Sequence, residues 1–212
     1  MHIILFAGGT VQEGTAVTQA LSEGELIVAA DGGASTALAM GYAPALVVGD
    51  FDSLTEQTRI ELERLDCQFV SARTEKDETD TELAIQVACQ QGASRITILG
   101  ALGGTRFEHT MANFQLLVGY STLPVEIVDG NSRGWLLRGP GTTSITGRQG
   151  DLLSLLPLTD SATGVQTEHL YYPLRHETLS FGKPRGISNV LQTTQASVSL
   201  SAGLLLLIHT SI

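Results

Sequence analysis

Two aspartates separated by one residue follow an apolar run, in Gly49-Asp50-Phe51-Asp52-Ser53 after Leu46-Val47-Val48. An apolar run rich in β-branched residues is typical of a buried strand, so the carboxylates would stand where the chain leaves the sheet. In open α/β folds ligands bind at that edge. Paired carboxylates there suit Mg²⁺, which takes hard oxygen ligands and often bridges to substrate phosphates. Because Gly, Asp and Ser are also common in turns, the motif alone fits a solvated turn equally well.

Similar polar segments follow other strand-like runs of the chain. They are Ala7-Gly8-Gly9-Thr10, Asp31-Gly32-Gly33-Ala34 and the stretch from Gly100 to His109, with Lys76-Asp77-Glu78-Thr79-Asp80 at a helix start. Each segment alone has an ordinary structural explanation, such as a tight glycine loop or acids that favour a helix N-terminus. Together they would meet in one crevice of a parallel sheet. Since the chain lacks a Walker A motif and a dinucleotide fingerprint, they favour a Mg²⁺-dependent nucleotide site that is not a P-loop.

The elements that must position these residues change in character near residue 125. Residues 1–124 alternate strand-like runs with helical stretches, which predicts a Rossmann-like α/β domain with a parallel sheet. Its predicted helices include one opening at the capping pattern Ser53-Leu54-Thr55-Glu56, one opening at Thr79-Asp80-Thr81-Glu82, and one from His109 to Tyr120. Residues 125–212 carry short β-like runs between Gly, Pro, Ser and Thr clusters, which predicts an all-β sandwich.

Charge is spread unevenly along the chain. Residues 1–125 carry 16 acidic and 6 basic side chains, so the whole net charge of −10 belongs to this part. Nucleic-acid and anionic-membrane partners both need a basic face, and neither is expected. The two cysteines, Cys67 and Cys89, have no metal-ligand spacing and are expected to be buried thiols in a reducing, cytoplasmic compartment.

Taken in order, the motifs resemble those of the thiamine pyrophosphokinase (thiamine diphosphokinase) family, and the resemblance covers nearly all 212 residues. The matching segments are Asp31-Gly32-Gly33-Ala34, Gly49-Asp50-Phe51-Asp52-Ser53, Lys76-Asp77-Glu78-Thr79-Asp80, Gly103-Gly104-Thr105-Arg106-Phe107-Glu108-His109 with Ala112-Asn113, and Gly186-Ile187-Ser188-Asn189. Their combination is far more specific than any single segment.

The resemblance implies a homodimer in which thiamine lies in a cleft between the α/β domain of one subunit and the β-sandwich of the other. It implies transfer of a diphosphoryl group from ATP to the thiamine hydroxyl, with release of AMP. The implied Mg²⁺ ligands are Asp50, Asp52 and Asp80, which would act in catalysis together with Arg106. The implied nucleotide contacts are Gly9, Lys76, Asp77, Thr79, Arg106, Glu108 and His109, and the implied thiamine contacts are Asp31, Ser188 and Asn189.

One position departs from the family pattern. Glu108 stands where the family usually has aspartate, which moves the carboxylate by one methylene, about 1.5 Å along the chain. A displacement of about 1 Å in a preorganised site can cost on the order of 10²-fold in rate. The role of Glu108 is therefore less firmly implied than that of the aspartates.

Thiamine recognition and two other functions stay open at this stage. No aromatic residue adjoins Ser188 in the sequence to stack on thiamine, because Trp135, Tyr171 and Tyr172 are distant. One alternative is a related diphosphokinase for another heterocyclic alcohol, such as a hydroxymethylpterin. The other is a non-catalytic nucleotide- or thiamine-binding protein, against which the complete aspartate set argues. The apolar run Leu204–Ile208 is expected to pack on another surface of the dimer.

Overall fold

The computed structural model describes residues 1–71, 77–120 and 123–212 of a chain that divides into two compact units, Met1–Gly130 and Asn131–Ile212. The sequence predicts the boundary after residue 124. The boundary moves because the strand Val125–Asp129 pairs in parallel with the strand Arg95–Leu99 and therefore belongs to the sheet of the first unit.

The first unit alternates strands and helices, as predicted. Its described strands are β1 (His2–Phe6), β2 (Leu26–Ala30), β3 (Leu46–Gly49), β4 (Gln68–Ser71), β5 (Arg95–Leu99) and β6 (Val125–Asp129). Its described helices are α1 (Thr15–Glu23), α2 (Gly33–Ala39), α3 (Glu56–Arg64), α4 (Asp80–Gln90) and α5 (Phe107–Gly119). The strands lie in the order β6-β5-β1-β2-β3-β4, and all their registered pairs are parallel. The winding direction reverses between β1 and β5, which is where such sheets open a ligand crevice.

Burial on both faces explains the continuous apolar sequences of the central strands. Every residue of β1 and β3 is buried, while the edge strand β4 exposes Gln68 and Ser71. One apolar cluster joins Phe6, Val47 and Leu99 with small side chains of α1 and α2. The parallel sheet is therefore covered by its own helices, as parallel sheets require.

The helix starts confirm one predicted cap and correct another. Thr79 caps α4, since its hydroxyl accepts a 3.2 Å hydrogen bond from the Glu82 amide. The predicted cap at Ser53 is wrong, because Thr55 caps α3 by accepting from the Thr58 amide at 3.1 Å. Ser53 lies before the helix, and its hydroxyl donates a hydrogen bond to the neighbouring carboxylate of Asp52 at 3.0 Å.

The amino edge of the sheet holds a buried network of polar side chains that hydrogen-bond to one another. The His2 ring nitrogen Nε2 lies 2.8 Å from the Thr97 hydroxyl, which donates to the Glu126 carboxylate at 2.6 Å. Arg95 donates to the same carboxylate at 2.7 Å. Burial and then the Arg95 charge lower the pKa of His2. Buried polar groups that are paired in this way hold adjacent strands together.

The second unit is built from antiparallel strands, as predicted. Its strands are β7 (Ser132–Arg138), β8 (Gly141–Thr146), β9 (Leu152–Pro157), β10 (Ser161–Glu168), β11 (Glu177–Ser180), β12 (Gly186–Val190), β13 (Gln195–Leu200) and β14 (Leu204–Thr210). They form the orders β12-β9-β14-β7 and β11-β10-β13-β8. Alternate residues of both sheets, such as Leu153, Leu207 and Val198, share one apolar core, which makes the unit a sandwich.

The cysteines and the helices were both subjects of expectations about the cellular environment of the chain. Cys67 and Cys89 are free thiols, but Cys89 is exposed rather than buried as predicted. Burial raises the pKa of the Cys67 thiol to about 11. Among the described residues, no helix combines the length and apolar character that crossing a bilayer requires.

A buried carboxylate ties the end of β14 to the start of β9. Asp151 is 2% exposed and accepts hydrogen bonds from the Arg148 amide at 2.8 Å, the His209 ring at 3.0 Å and the Ile212 amide at 3.2 Å. Burial alone would raise the pKa of Asp151, but these hydrogen bonds and the nearby His209 charge outweigh it and lower the pKa.

We expect Asp151→Asn to lower the melting temperature at pH 7 by several degrees. The substitution replaces a charged acceptor of buried hydrogen bonds with a neutral amide, which should lower the free energy of unfolding by about 1–3 kcal/mol. Because the folded-state pKa is lowered, the carboxylate stabilises the protein above its ordinary value of 3.8, and this stabilisation is lost as the pH falls through the folded-state pKa. The difference in melting temperature between wild type and variant should therefore stay constant above pH 3.8 and shrink progressively as the pH falls below it. The exposed Asp160→Asn serves as the control, and a deficit that does not shrink at any pH below 3.8 at which the wild type still folds would contradict this assignment.

Candidate active site

An acid cluster forms where β2 and β3 end side by side. Asp31 follows β2 directly, and Asp50 and Asp52 follow β3, its parallel neighbour. One carboxylate oxygen from each of the three lies within 4.8 Å of the others. The predicted convergence at the carboxyl edge of the sheet is thus present in the described structure.

The turns that carry these carboxylates contain residues with a positive φ angle. Asp31 has φ 42° and Phe51 has φ 67°, a left-handed region that residues other than glycine rarely adopt. The Asp31 amide donates to Val48 O at 2.9 Å, and the Phe51 ring packs edge-on against Phe69 with centroids 5.4 Å apart. Such conformations persist where the surroundings hold them, and they concentrate at functional sites.

The electrostatics of the cluster favour a cation. Burial raises the pKa of Asp31, the Asp80 and Asp52 charges raise it further, and hydrogen bonds from Ser53 and Gly32 oppose the rise. Asp31 Oδ1 is buried and has no hydrogen-bond partner among the described residues. A buried oxygen without a donor, beside further carboxylates, is the donor set that a hard divalent cation such as Mg²⁺ prefers. The residues present therefore fit such an ion.

The composition of the cluster differs from the predicted set in one member. The sequence predicts Asp50, Asp52 and Asp80 as ligands and leaves Asp31 with the acceptor, whereas the described cluster contains Asp31. Asp80, the first residue of α4, is nearby, since its Oδ1 lies 3.4 Å from where a Cβ on Gly49 would stand. The sequence already places Asp31 in the same crevice, and only the division of roles, which the family resemblance implies, puts it with the acceptor instead of the ion.

The glycine loops after β1 and β5 pack against each other. The Gly9 amide donates to Gly100 O at 2.9 Å, and a Cβ on Gly9 would lie 2.5 Å from Gly100 O and 2.6 Å from Leu102 O. A phosphate bound at Gly9 would need a hydrogen bond from the Gly9 amide, and that amide already donates to the Gly100 carbonyl oxygen. Of the two explanations for Gly8-Gly9, the described structure therefore gives Gly9 the tight-loop role.

The start of α5 carries an exposed polar group. Arg106 Nη2 lies 3.5 Å from His109 Nδ1, and His109 Nε2 lies 4.0 Å from Glu108 Oε1. Behind them the buried Asn113 side chain donates to Ala101 O at 2.7 Å and fixes the preceding loop. Lys76 lies outside the described residues.

The predicted thiamine contacts in the second unit have different surroundings. Asn189 is buried; its amide oxygen accepts from the Tyr172 and Val190 amides at 2.9 Å, and its nitrogen donates to Tyr172 O at 2.7 Å. Ser188 is exposed with φ 56°, and its amide donates to Ser154 Oγ at 3.0 Å. Asn189 thus fixes the backbone that presents its neighbours.

This arrangement brings the backbone of one of the sequence-distant aromatic residues, Tyr172, next to Asn189. Tyr172 is 64% exposed, and its backbone is held by Asn189 beside Ser188 although 16 positions separate Tyr172 from Ser188. Its ring packs edge-on against Tyr171, with centroids 4.8 Å apart. This proximity comes from hydrogen bonds of the Asn189 side chain to a segment distant in sequence, which no local pattern in the sequence indicates.

Carboxylates at this edge are suited to hold a cation against phosphate oxygens, so the fold and the site together define an α/β phosphotransferase with a separate β-sandwich. Family models extend this conclusion. The model described as thiamin pyrophosphokinase, catalytic domain, matches residues 17–128, and the model described as thiamin pyrophosphokinase, vitamin B1 binding domain, matches residues 142–205. The chain belongs to the thiamin pyrophosphokinase family.

Individual relatives agree over the full length. The chain is 29% identical to the thiamine pyrophosphokinase of Bacillus subtilis (strain 168), and the match covers 99% of this chain and 98% of that protein. The crystal structure of the Bacillus subtilis thiamine pyrophosphokinase superposes with a TM-score of 0.88, covering 100% of this chain and 99% of the other. The thiamin pyrophosphokinase of Geobacillus thermodenitrificans is 30% identical, with a TM-score of 0.85 and coverage of 100% and 98%.

The contact between the glycine loops gives a matched pair of substitutions. Gly9→Ala should lower the melting temperature by several degrees, because overpacking against backbone oxygens costs about 1–3 kcal/mol. It should also reduce turnover, because it displaces the loop before Arg106. A Cβ on the adjacent Gly8 meets nothing within 4 Å, so Gly8→Ala should resemble wild type in both assays. Equal behaviour of the two variants would show that the close contact does not position the site.

Proposed function

We propose that the chain transfers a diphosphoryl group from ATP to the hydroxyl of thiamine, giving thiamine diphosphate and AMP. The observation that carries this proposal is the convergence of Asp31, Asp50 and Asp52, with Asp80 nearby, in a chain that both domain models match. In the reaction the thiamine oxygen bonds to the β-phosphorus of ATP, and the bond from that phosphorus to the α,β-bridging oxygen breaks. AMP leaves, and the hydroxyl proton is released.

Asp31, Asp50, Asp52 and Asp80 would hold Mg²⁺, with Asp77 close by in sequence. When bound, the ion supplies positive charge beside the polyphosphate. A cation is needed because Met1–Gly130, the unit that would receive ATP, carries 18 acidic and 6 basic side chains, a net charge of −12. Without a cation, the carboxylates would repel the substrate that they are proposed to bind.

The basic side chains of the first unit would position the polyphosphate. Arg106 offers a planar fork of donors that matches two phosphate oxygens, and the His109 ring at 3.5 Å restrains its guanidinium. The N-terminal end of α4, which begins at Asp80, favours negative charge through the helix dipole. Lys76 precedes this helix and would add a further positive charge.

The second unit would recognise thiamine. Tyr172 presents an exposed ring for stacking on the planar rings of the substrate, and Ser188 presents an exposed hydroxyl. The Asn189 side chain holds the backbone of Tyr172, and the Ser188 amide is held by Ser154 Oγ. The cationic thiazolium suits an acidic site, and Asp31 would face the acceptor end of the same crevice.

The first test of this function is a substitution in the acid cluster. Asp52→Asn keeps the size of the side chain but removes a charged ligand, so turnover should fall by about 10²-fold or more while folding persists. Products are identified by mass spectrometry after incubation with ATP, Mg²⁺ and thiamine. Asp66→Asn, at an exposed position after α3, is the matched control and should keep wild-type turnover. Normal turnover of Asp52→Asn at saturating Mg²⁺ would refute the ligand assignment.

We also propose that the active unit is a homodimer. The expectation that Leu204–Ile208 needs a partner surface is not supported, because Leu204 to Leu207 are buried within the chain. A different set of exposed apolar side chains in the second unit takes its place, namely Tyr171, Tyr172, Phe181 and Ile187. Exposed apolar groups of this kind mark interaction surfaces.

Subunit mixing tests whether each site draws on two chains. If the acid cluster of one subunit and the Tyr172 region of the other act on one thiamine molecule, Asp52→Asn and Tyr172→Ala should each be impaired alone. A mixed dimer would have one site with both lesions and one with neither, so it should recover up to about half of wild-type turnover. Ile212→Ala, which truncates an exposed apolar side chain outside this set, replaces Tyr172→Ala as the control and should keep wild-type turnover. No recovery despite demonstrated subunit exchange would place each site within one chain.

A further inference from the structure

Asn113 occupies a position of α5 that would suit an apolar residue. The described residues that α5 buries are Asn113 and, one turn further on, Leu117, and Asn113 is only 7% exposed. Burying an amide side chain costs free energy unless its polar atoms form hydrogen bonds. Asn113 lies in a segment that matches the family, yet it has no part in the reaction proposed above, so its buried amide calls for an explanation.

The side chain of Asn113 holds the loop that leaves β5. Its Nδ2 donates to Ala101 O at 2.7 Å, and Ala101 is itself buried. Helical side chains lean toward the N-terminus of their helix, so a residue in the second turn of α5 is placed to reach back to the loop before it. The contact therefore joins the end of β5 to the body of α5 and encloses the loop residues 102–106.

Two consecutive carbonyl groups of this loop are held by different elements. Gly100 O accepts from the Gly9 amide at 2.9 Å, which fixes the loop to the segment after β1. Ala101 O, the next carbonyl, accepts from Asn113 on the side of α5. The loop is thus anchored on both sides just before it turns toward the helix start.

The residues between Ala101 and α5 need such an anchor because their glycines restrict the backbone little. Gly103 and Gly104 have φ of 74° and 86°, a region that glycine enters without steric cost. Arg106 ends this stretch as the N-cap of α5, and its exposed side chain makes no capping hydrogen bond. The position of its guanidinium therefore depends on how the loop backbone is held.

We infer that Asn113 is a positioning residue for the proposed diphosphoryl transfer, because it holds the loop backbone that places the Arg106 guanidinium against polyphosphate oxygens. The inference rests on the proposed function for the ligand of Arg106, but Asn113 acts through Arg106 and not by contact with substrate. A planar guanidinium binds two phosphate oxygens only in a fixed orientation. A displacement of about 1 Å in a preorganised site can cost on the order of 10²-fold in rate.

A double-mutant cycle separates positioning of Arg106 from general stability. Asn113→Leu keeps a side chain of similar size at the inward position but removes the donor to Ala101 O. By calorimetry in Mg²⁺ it should weaken ATP binding at least about tenfold, while the KM for thiamine stays that of wild type. In an Arg106→Ala background the same substitution should weaken ATP binding by less than about twofold, because the side chain that it displaces is gone. A tenfold loss in both backgrounds would overturn the inference.

Leu117→Val is the matched control for loss of stability. It truncates the other buried side chain of α5, which has no hydrogen-bonding group, so it should lower the melting temperature but keep the ATP affinity of wild type. An equal loss of ATP affinity in Leu117→Val and Asn113→Leu would show that Asn113 only stabilises the helix. If Asn113→Leu does not fold, Asn113→Asp takes its place in the cycle, since it keeps the size of the side chain and sets an acceptor against Ala101 O.

The outcomes also distinguish this inference from the proposed function. If wild type binds ATP with this coupling between Asn113 and Arg106 but forms no thiamine diphosphate, the proposed function fails and the positioning role stands. If wild type forms thiamine diphosphate but the two substitutions are additive, the function stands and the positioning role fails. Unchanged ATP binding in Arg106→Ala alone would also remove the positioning role, because Arg106 would then hold no phosphate.

Discussion

The mutual repulsion of carboxylates held within a few ångströms is the constraint around which the first unit is organised. Asp31, Asp50 and Asp52 would separate if the turns that carry them were loose. They are held because β2 and β3 are buried parallel neighbours, and because the Asp31 amide and the Phe51 ring fix the turns. The stability of the apolar sheet thus offsets the cost of concentrating negative charge at its edge, as is common where function requires strain.

Local sequence signals predicted the elements of this chain well because their causes are local. Apolar runs gave the parallel strands, and the hydroxyl of Thr79 capped its helix where the pattern indicated. The error at Ser53 is also instructive. Ser53 and Thr55 are both residue types that cap helices. Thr55 caps α3, whereas the Ser53 hydroxyl donates to the Asp52 carboxylate at 3.0 Å. Because α3 begins at Glu56, Thr55 is the residue whose hydroxyl reaches the free amide of the first turn, a contact worth about 1 kcal/mol.

Relations across the chain could not be predicted in this way. The close contact of Gly9 with Gly100 needs the adjacency of β1 and β5, and the position of Tyr172 beside Ser188 depends on the side chain of Asn189. The boundary near residue 124 was misplaced for the same reason, since a strand belongs to the sheet that supplies its partner. Family resemblance supplied the chemistry, whereas the folded chain showed which polar side chains are exposed and which hold the backbone of others in place.

The two edges of the parallel sheet differ in how they treat buried polar groups. At the amino edge His2, Thr97 and Glu126 satisfy one another, whereas at the carboxyl edge the buried Asp31 Oδ1 has no donor among the described residues. A cation that bound there in the folded chain alone would add about 1.4 kcal/mol to the free energy of unfolding for each tenfold rise in its concentration above the dissociation constant. The melting temperature would then report the surrounding cation concentration, and a cluster that weakens the fold in ion-free solution would strengthen it in a medium that contains the ion.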